Sequence, residues 1–191
     1  MPRLHDYILS PEAYTVRLLL ALLGVAHDTI AVDAYPGVAP VPVFEDGATR
    51  LDDPGLILTY LARTHGPHWM PEELASDTSH WLGFTAIELA SVYQARRVSL
   101  FGQPGDLDVL RARGRAALRT VEDHLSYNSL NGMLFVCGDA PTVADIALFP
   151  AIALSHDCGI GHEDYPALTL WQRRIRRLPN FLPMPGIPDY F

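Results

Sequence analysis

Lysine is absent. All 14 basic residues in the 191-residue chain are arginine, set against 22 acidic residues. The formal net charge of −8 argues against nucleic acid or an anionic membrane surface as a partner, and the arginine-only usage reads first as compositional bias. Cysteine is scarce as well: Cys137 and Cys158 are too few for a disulfide framework, which leaves a reduced, cytoplasmic protein as the expectation. No apolar run approaches the roughly 18 residues of a membrane-spanning helix. Met1-Pro2-Arg3-Leu4-His5 lacks the basic and apolar regions of a secretory signal. There is no phosphate loop, dinucleotide fingerprint, internal repeat or low-complexity segment. What remains is an ordinary globular composition, 49% apolar and 19% charged, long enough for one sizeable core or two small ones.

Breakers divide the first third into short elements. Leu4 to Leu9, carrying Tyr7, reads as a strand that ends at Ser10-Pro11. Ser10 is a natural N-cap, Pro11 fits the first helical turn, and Glu12 lies favourably at the positive end of the dipole. Val16, Leu19, Leu20 and Leu23 give that helix one apolar face, and Gly24 stops it. A second strand is predicted over His27 to Val32. The connection Asp33 to Pro40 holds three breakers and cannot be a helix. Val41-Pro42-Val43-Phe44-Glu45 then turns at Asp46-Gly47 and resumes at Ala48 to Leu51, a hairpin. Because proline cannot donate to a sheet, Pro42 belongs at a strand start or edge, or in a cis turn that exposes the neighbouring backbone. Ile57, Tyr60 and Leu61 follow at helical spacing.

After the breaker-rich Gly66 to Pro71 the texture is helical. Glu72 to about Leu100 reads as one long helix through Trp81, Phe84, Ile87, Glu88 and Val92. Leu107, Leu110, Gly114, Ala117, Val121 and Leu125 form a second stripe, with Arg111, Arg113, Arg115 and Arg119 expected on a solvated face or an inter-subunit edge. Thr142-Val143-Ala144-Asp145 has the spacing of a capping box. His156, Asp157, Cys158 and His162 offer metal-ligand chemistry at a spacing that fits no common zinc pattern, so no metal is expected. His65 and His68 are read as linker residues.

Val41-Pro42 before the hairpin, Asp53 after it, the Thr142-x-x-Asp145 box within Gly138 to Phe149, and Tyr165-Pro166 through Leu178-Pro179 together resemble the glutathione S-transferase superfamily, serine-using and bacterial-like. The resemblance covers nearly the whole chain and implies an α+β fold. A thioredoxin-like domain, a mixed four-stranded sheet with helices, would span residues 1–65. A linker at 66–71 would lead to an all-α domain over 72–191. It also implies an enzyme that uses glutathione as cosubstrate on a small electrophile or metabolite, and a homodimer.

Carried over residue by residue, the resemblance makes Ser10, seven residues before Arg17, the hydroxyl that activates sulfur, with Tyr7 its rival. A free thiol is only a few per cent ionised at neutral pH, and a hydroxyl donor at a helix N-terminus favours its charged form. The same residues have plainer readings: Ser10 as a cap, Tyr7 as a core aromatic. Val41 and Pro42 would clamp the tripeptide backbone, and Asp53 would take its ammonium. Pro54 departs from the serine expected there and offers neither hydroxyl nor N–H to the γ-glutamyl carboxylate. The family's helix between its second and third strands is also missing. Trp81, Tyr93, Arg96 and Arg97 are the candidates for the second-substrate wall; a core Trp81 and an arginine pair at the surface are the competing readings. Two other functions are therefore carried beside the transferase, isomerase or lyase: a glutathione-independent enzyme using the interdomain cleft, and a non-catalytic dimeric module.

Overall fold

A computed structural model describes residues 1–32 and 42–187; the connection from Asp33 to Pro40, and Val41, lie outside the described residues. Four strands, β1 (Arg3–Asp6), β2 (Asp28–Ala31), β3 (Val43–Asp46) and β4 (Thr49–Leu51), pair in the order β2-β1-β3-β4. β1 runs parallel to β2 and antiparallel to β3, and β3 and β4 form the hairpin, with Phe44 opposite Leu51. Gly47 supplies the positive φ of 58° that this tight turn demands. The mixed four-stranded sheet is the one expected.

The first strand is shorter than its composition suggests. It ends at Asp6, because the Tyr7 carbonyl turns back to accept the Ser10 N–H at 2.8 Å. Arg17 holds that turn from below: its Nη1 reaches both Asp6 carboxylate oxygens at 2.8 and 2.6 Å, and its Nη2 donates to the Ile8 carbonyl at 3.0 Å. Both partners are buried. The turn is followed by α1 (Pro11–Leu23), capped by Ser10 and closed by Gly24 in the left-handed region.

The helical remainder comprises α2 (Pro54–His65), α3 (Ala75–Ile87), α4 (Ala90–Phe101), α5 (Leu107–Leu130), α6 (Val143–Ala153) and α7 (Pro166–Arg176). The stretch read as one long helix from Glu72 is two. Past Ile87 the ladder slips, the Leu89 N–H reaching back five residues to the Phe84 carbonyl, so Leu89 turns inward and Ile87 outward. The expected linker is packed rather than loose, a 3₁₀ turn at Pro67–Trp69 that buries the Trp69 ring. Along α5 the apolar stripe is buried from Leu110 to Leu125 as expected. Of its arginines, Arg113, Arg115 and Arg119 are exposed, as a solvated face requires, with Arg119 lying 4.7 Å over the Tyr165 ring, while the half-buried Arg111 donates from Nε to the Cys158 carbonyl at 2.6 Å.

Every residue of α6 is buried, and the helix packs against α1, α2 and α3, joining the two halves. Asp145 anchors it. One carboxylate oxygen accepts the Thr142 N–H at 2.8 Å, closing the cap; the other accepts the Val136 N–H at 3.0 Å and the Trp171 indole N–H at 2.8 Å. Among the described residues, no helix is long and apolar enough to cross a membrane.

Candidate functional site

Where the two halves meet, α1, the start of α2, and α3 with α4 enclose a cleft of about 550 Å³. Each wall follows from a local rule of folding. Ser10 caps α1, its Oγ accepting the Ala13 N–H at 3.1 Å, and this brings Glu12 on the first turn and Thr15 on the second to the cleft. Asp53 caps α2, its Oδ1 accepting the Leu56 N–H at 2.8 Å, and presents Asp53 and Pro54 on the opposite lip. Helix α4 contributes Tyr93 and Gln94 and, one turn further on, Arg97. Gln94 and Arg97 also border a second hollow of about 360 Å³, closed by Gln103 and Arg113.

Of the residues singled out from sequence, the cleft brings together Asp53, Pro54, Tyr93 and Arg97. Ser10 is buried just behind the wall and reaches the cleft through Glu12, which accepts its hydroxyl proton at 3.2 Å. Pro42 is buried at the mouth of β3; Val41 lies outside the described residues. Tyr7 is spent on the turn before α1 and does not line the cleft.

Two residues expected on the second-substrate wall do not line this cleft. Trp81 is a core residue, edge-on to Phe84 at 5.1 Å and 4.6 Å from the His124 ring, and it is absent from the cleft lining. Arg96 points the other way from Arg97. Almost fully buried, it donates to Asp157 at 2.7 Å and to the Leu9 carbonyl at 3.1 Å, so it is a strut between the halves.

Glu12 is the residue that sequence reasoning missed. It reads as a dipole-favouring acid, and its ion pair with Arg97 joins positions 85 residues apart. Thr15 was missed for the same reason, since its neighbour Tyr93 lies on another element. Burial, and then the charge of Glu12, push the Tyr93 phenol well above its usual range, so it stays a hydrogen-bond donor. Burial, followed by the field of Asp145, raises the Cys137 thiol to about 11, and burial raises Cys158. Neither cysteine is placed to act as a nucleophile. The His156 and His162 rings lie 4.2 Å apart, tilted at 51°, away from the cleft.

The family model for the glutathione S-transferase C-terminal domain matches residues 72–174, more than half of the chain. This chain belongs to the glutathione S-transferase family. Its curated relatives include a maleylacetoacetate isomerase of Rhizobium meliloti (strain 1021), 25% identical over 202 residues, covering 93% of this chain and 92% of the relative. A solved structure of a possible glutathione S-transferase from Rhodopseudomonas palustris superposes with a TM-score of 0.84 at 25% identity, covering 98% of this chain and 99% of that one. A glutathione S-transferase from Pseudomonas fluorescens Pf-5 does so with a TM-score of 0.85 at 25% identity, covering 96% and 98%. The thioredoxin-like half joined to an all-α half is thus the family's fold. The chain is a glutathione S-transferase-like enzyme.

Proposed function

We propose that this glutathione S-transferase binds glutathione along the Asp53 lip and carries a small electrophile between Tyr93 and Arg97, for addition or isomerisation. The observation that carries the reading is the shared cleft itself: a cap carboxylate from the sheet half faces a phenol and a guanidinium from the helical half across about 550 Å³. A volume of that order suits a small ligand. Asp53 takes the ammonium of the tripeptide, and Val41 and Pro42 are the residues that hold its backbone. Ser10 is the hydroxyl beside the sulfur. Arg97 suits an electrophile bearing a carboxylate or carbonyl. The isomerase named among the relatives favours isomerisation over transfer. We place the protein in the cytoplasm as a homodimer, checked by sedimentation at micromolar concentration.

A second reading, an enzyme that has given up glutathione, draws on Pro54. That residue has no N–H, and one of the two Asp53 oxygens, Oδ1, is already spent on its own helix. Calorimetric titration separates the two. Glutathione binding with Kd below about 1 mM is expected, and Pro54→Ser should tighten it about tenfold by restoring donors to the carboxylate. No heat at about 10 mM with either protein would hand the site to the second reading.

A further inference from the structure

The arginines around the cleft are not equally committed. Arg17 is bound to Asp6 and the Ile8 carbonyl, and Arg96 to Asp157 and the Leu9 carbonyl, so both are buried struts behind the turn that carries Ser10. Arg97 stands on the rim shared by the cleft and the hollow of about 360 Å³ beside it, with Nη2 on Glu12. A guanidinium has five N–H donors, so that ion pair orients Arg97 without exhausting it. Arg113 borders the same hollow from α5, and it has no ion pair or hydrogen bond among the described residues.

The hollow is held in shape by local rules, as the cleft is. Gln94 and Arg97, three positions apart on α4, open onto both spaces. On the far side Asp106 caps α5, its Oδ1 accepting the Asp108 and Val109 N–H groups at 3.1 Å each, which commits that oxygen to its own helix. Between the two helices Gly105 sits so close that a Cβ there would come within 2.8 Å of Val98 Cγ2, and the connection is therefore packed down onto them. The two spaces differ in character. Leu56, Leu82 and Ala86 line the cleft, whereas two arginines and two glutamines line the hollow. A ligand with an apolar body and an anionic end fits the pair.

We propose that the hollow extends the electrophile site and reads a carboxylate at the far end of the second substrate, with Arg113 as the specificity-determining residue and Arg97, oriented by Glu12, at the entrance. The substrate class is then an elongated apolar electrophile that ends in a carboxylate. Its reactive carbon lies beside the sulfur and its charge one cavity away. This rests on the glutathione reading above, which puts the tripeptide along the Asp53 lip of the other half and leaves the hollow to the second substrate.

The test compares conjugates that share the tripeptide and the chain length and differ only in a terminal methyl or carboxylate. By calorimetric titration of the intact protein, S-(5-carboxypentyl)glutathione should bind about fivefold more tightly than S-hexylglutathione, as suits one charge-assisted pair at a partly open site, and the preference should shrink in about 0.5 M salt. The short pair, S-carboxymethylglutathione against S-ethylglutathione, should show no such preference, because its charge stays inside the cleft. Arg113→Gln should bring the long-chain ratio to about one, and Arg113→Glu should invert it. Arg63→Gln removes the same charge from an exposed position on α2 outside both spaces and should keep the wild-type ratio. Equal affinities in the wild type, a ratio that survives Arg113→Gln, or an equal preference in the short pair overturns the inference while the glutathione reading stands. Conjugates that fail to bind a protein that takes glutathione also overturn the extension alone. Absence of binding by glutathione and every conjugate overturns both.

Discussion

His162 is largely buried, and its surroundings on balance favour the neutral ring. Its Nε2 lies 2.8 Å from Ser155 Oγ, its Nδ1 is 3.1 Å from the Gln172 amide, and the His156 ring lies 4.2 Å away, tilted at 51°. Burial, then the neighbouring imidazole, hold its pKa down to about 4, against about 6.5 in an unfolded chain. Between those two values the unfolded chain binds the proton and the folded one does not, so stability rises with pH. It is complete above pH of about 6.5 and is lost as pH falls toward about 4, by roughly 2 kcal/mol after allowing for the ring's partial exposure. Melting curves should therefore shift down between neutral and mildly acid pH, and His162→Gln should flatten the difference. An unchanged pH slope in that variant would place the acid sensitivity elsewhere. None of this was readable from sequence, where His162 stood beside Asp157 and Cys158 as a fragment of metal chemistry. Asp145 was half-legible: its spacing from Thr142 announced the cap, but its bonds to Val136 and Trp171 come from outside that phrase.

At the level of elements, the local signals held wherever a rule acts over a few residues. Ser10-Pro11, Asp46-Gly47, Gly24 and Thr142-x-x-Asp145 each set an end or a turn where the structure has one. They failed where a neighbour decides. Helix periodicity ran unbroken through Glu88 because the residues on both sides are good helix formers, and only packing reveals the slip at Leu89. The start of α7 is a second case. Tyr165 offers it no side-chain cap, and the first free N–H groups, Ala167 and Leu168, instead donate to the two oxygens of Glu122 on α5, at 3.0 and 2.8 Å. Glu122 is buried on the apolar stripe, where a reader of sequence would have put a hydrophobe. Glu122→Ala removes the acceptor for two buried donors and should cost about 2 kcal/mol, read as a lower urea midpoint with the same slope. Asp123→Ala, one position along and exposed, should leave the midpoint where it was.

Across the whole molecule the family's domain order was legible, and the way the halves grip each other was not. Val-Pro before a hairpin and a capping box in a buried helix are encoded within single elements. The grip depends on pairs far apart in sequence. Arg96 on α4 joins Asp157, 61 positions later, to the Leu9 carbonyl, 87 positions earlier, while the Tyr14 hydroxyl on α1 donates to the Leu182 carbonyl at 2.7 Å. These contacts converge on the turn that carries Ser10 and Glu12, so the geometry of the cleft is set by the helical half as much as by the strand that leads into it. Removing Arg96 should therefore act twice. Arg96→Met keeps most of the buried stem but strands the Asp157 carboxylate and a carbonyl, a loss of about 2–4 kcal/mol. It also frees the Leu9 carbonyl one residue before Ser10. The expected result is a lower denaturant midpoint together with weaker glutathione binding, whereas Arg111→Met, which loses a carbonyl contact distant from the cleft, should lower the midpoint and leave binding unchanged. If both variants lose stability and neither loses binding, the strut holds the halves together without shaping the site.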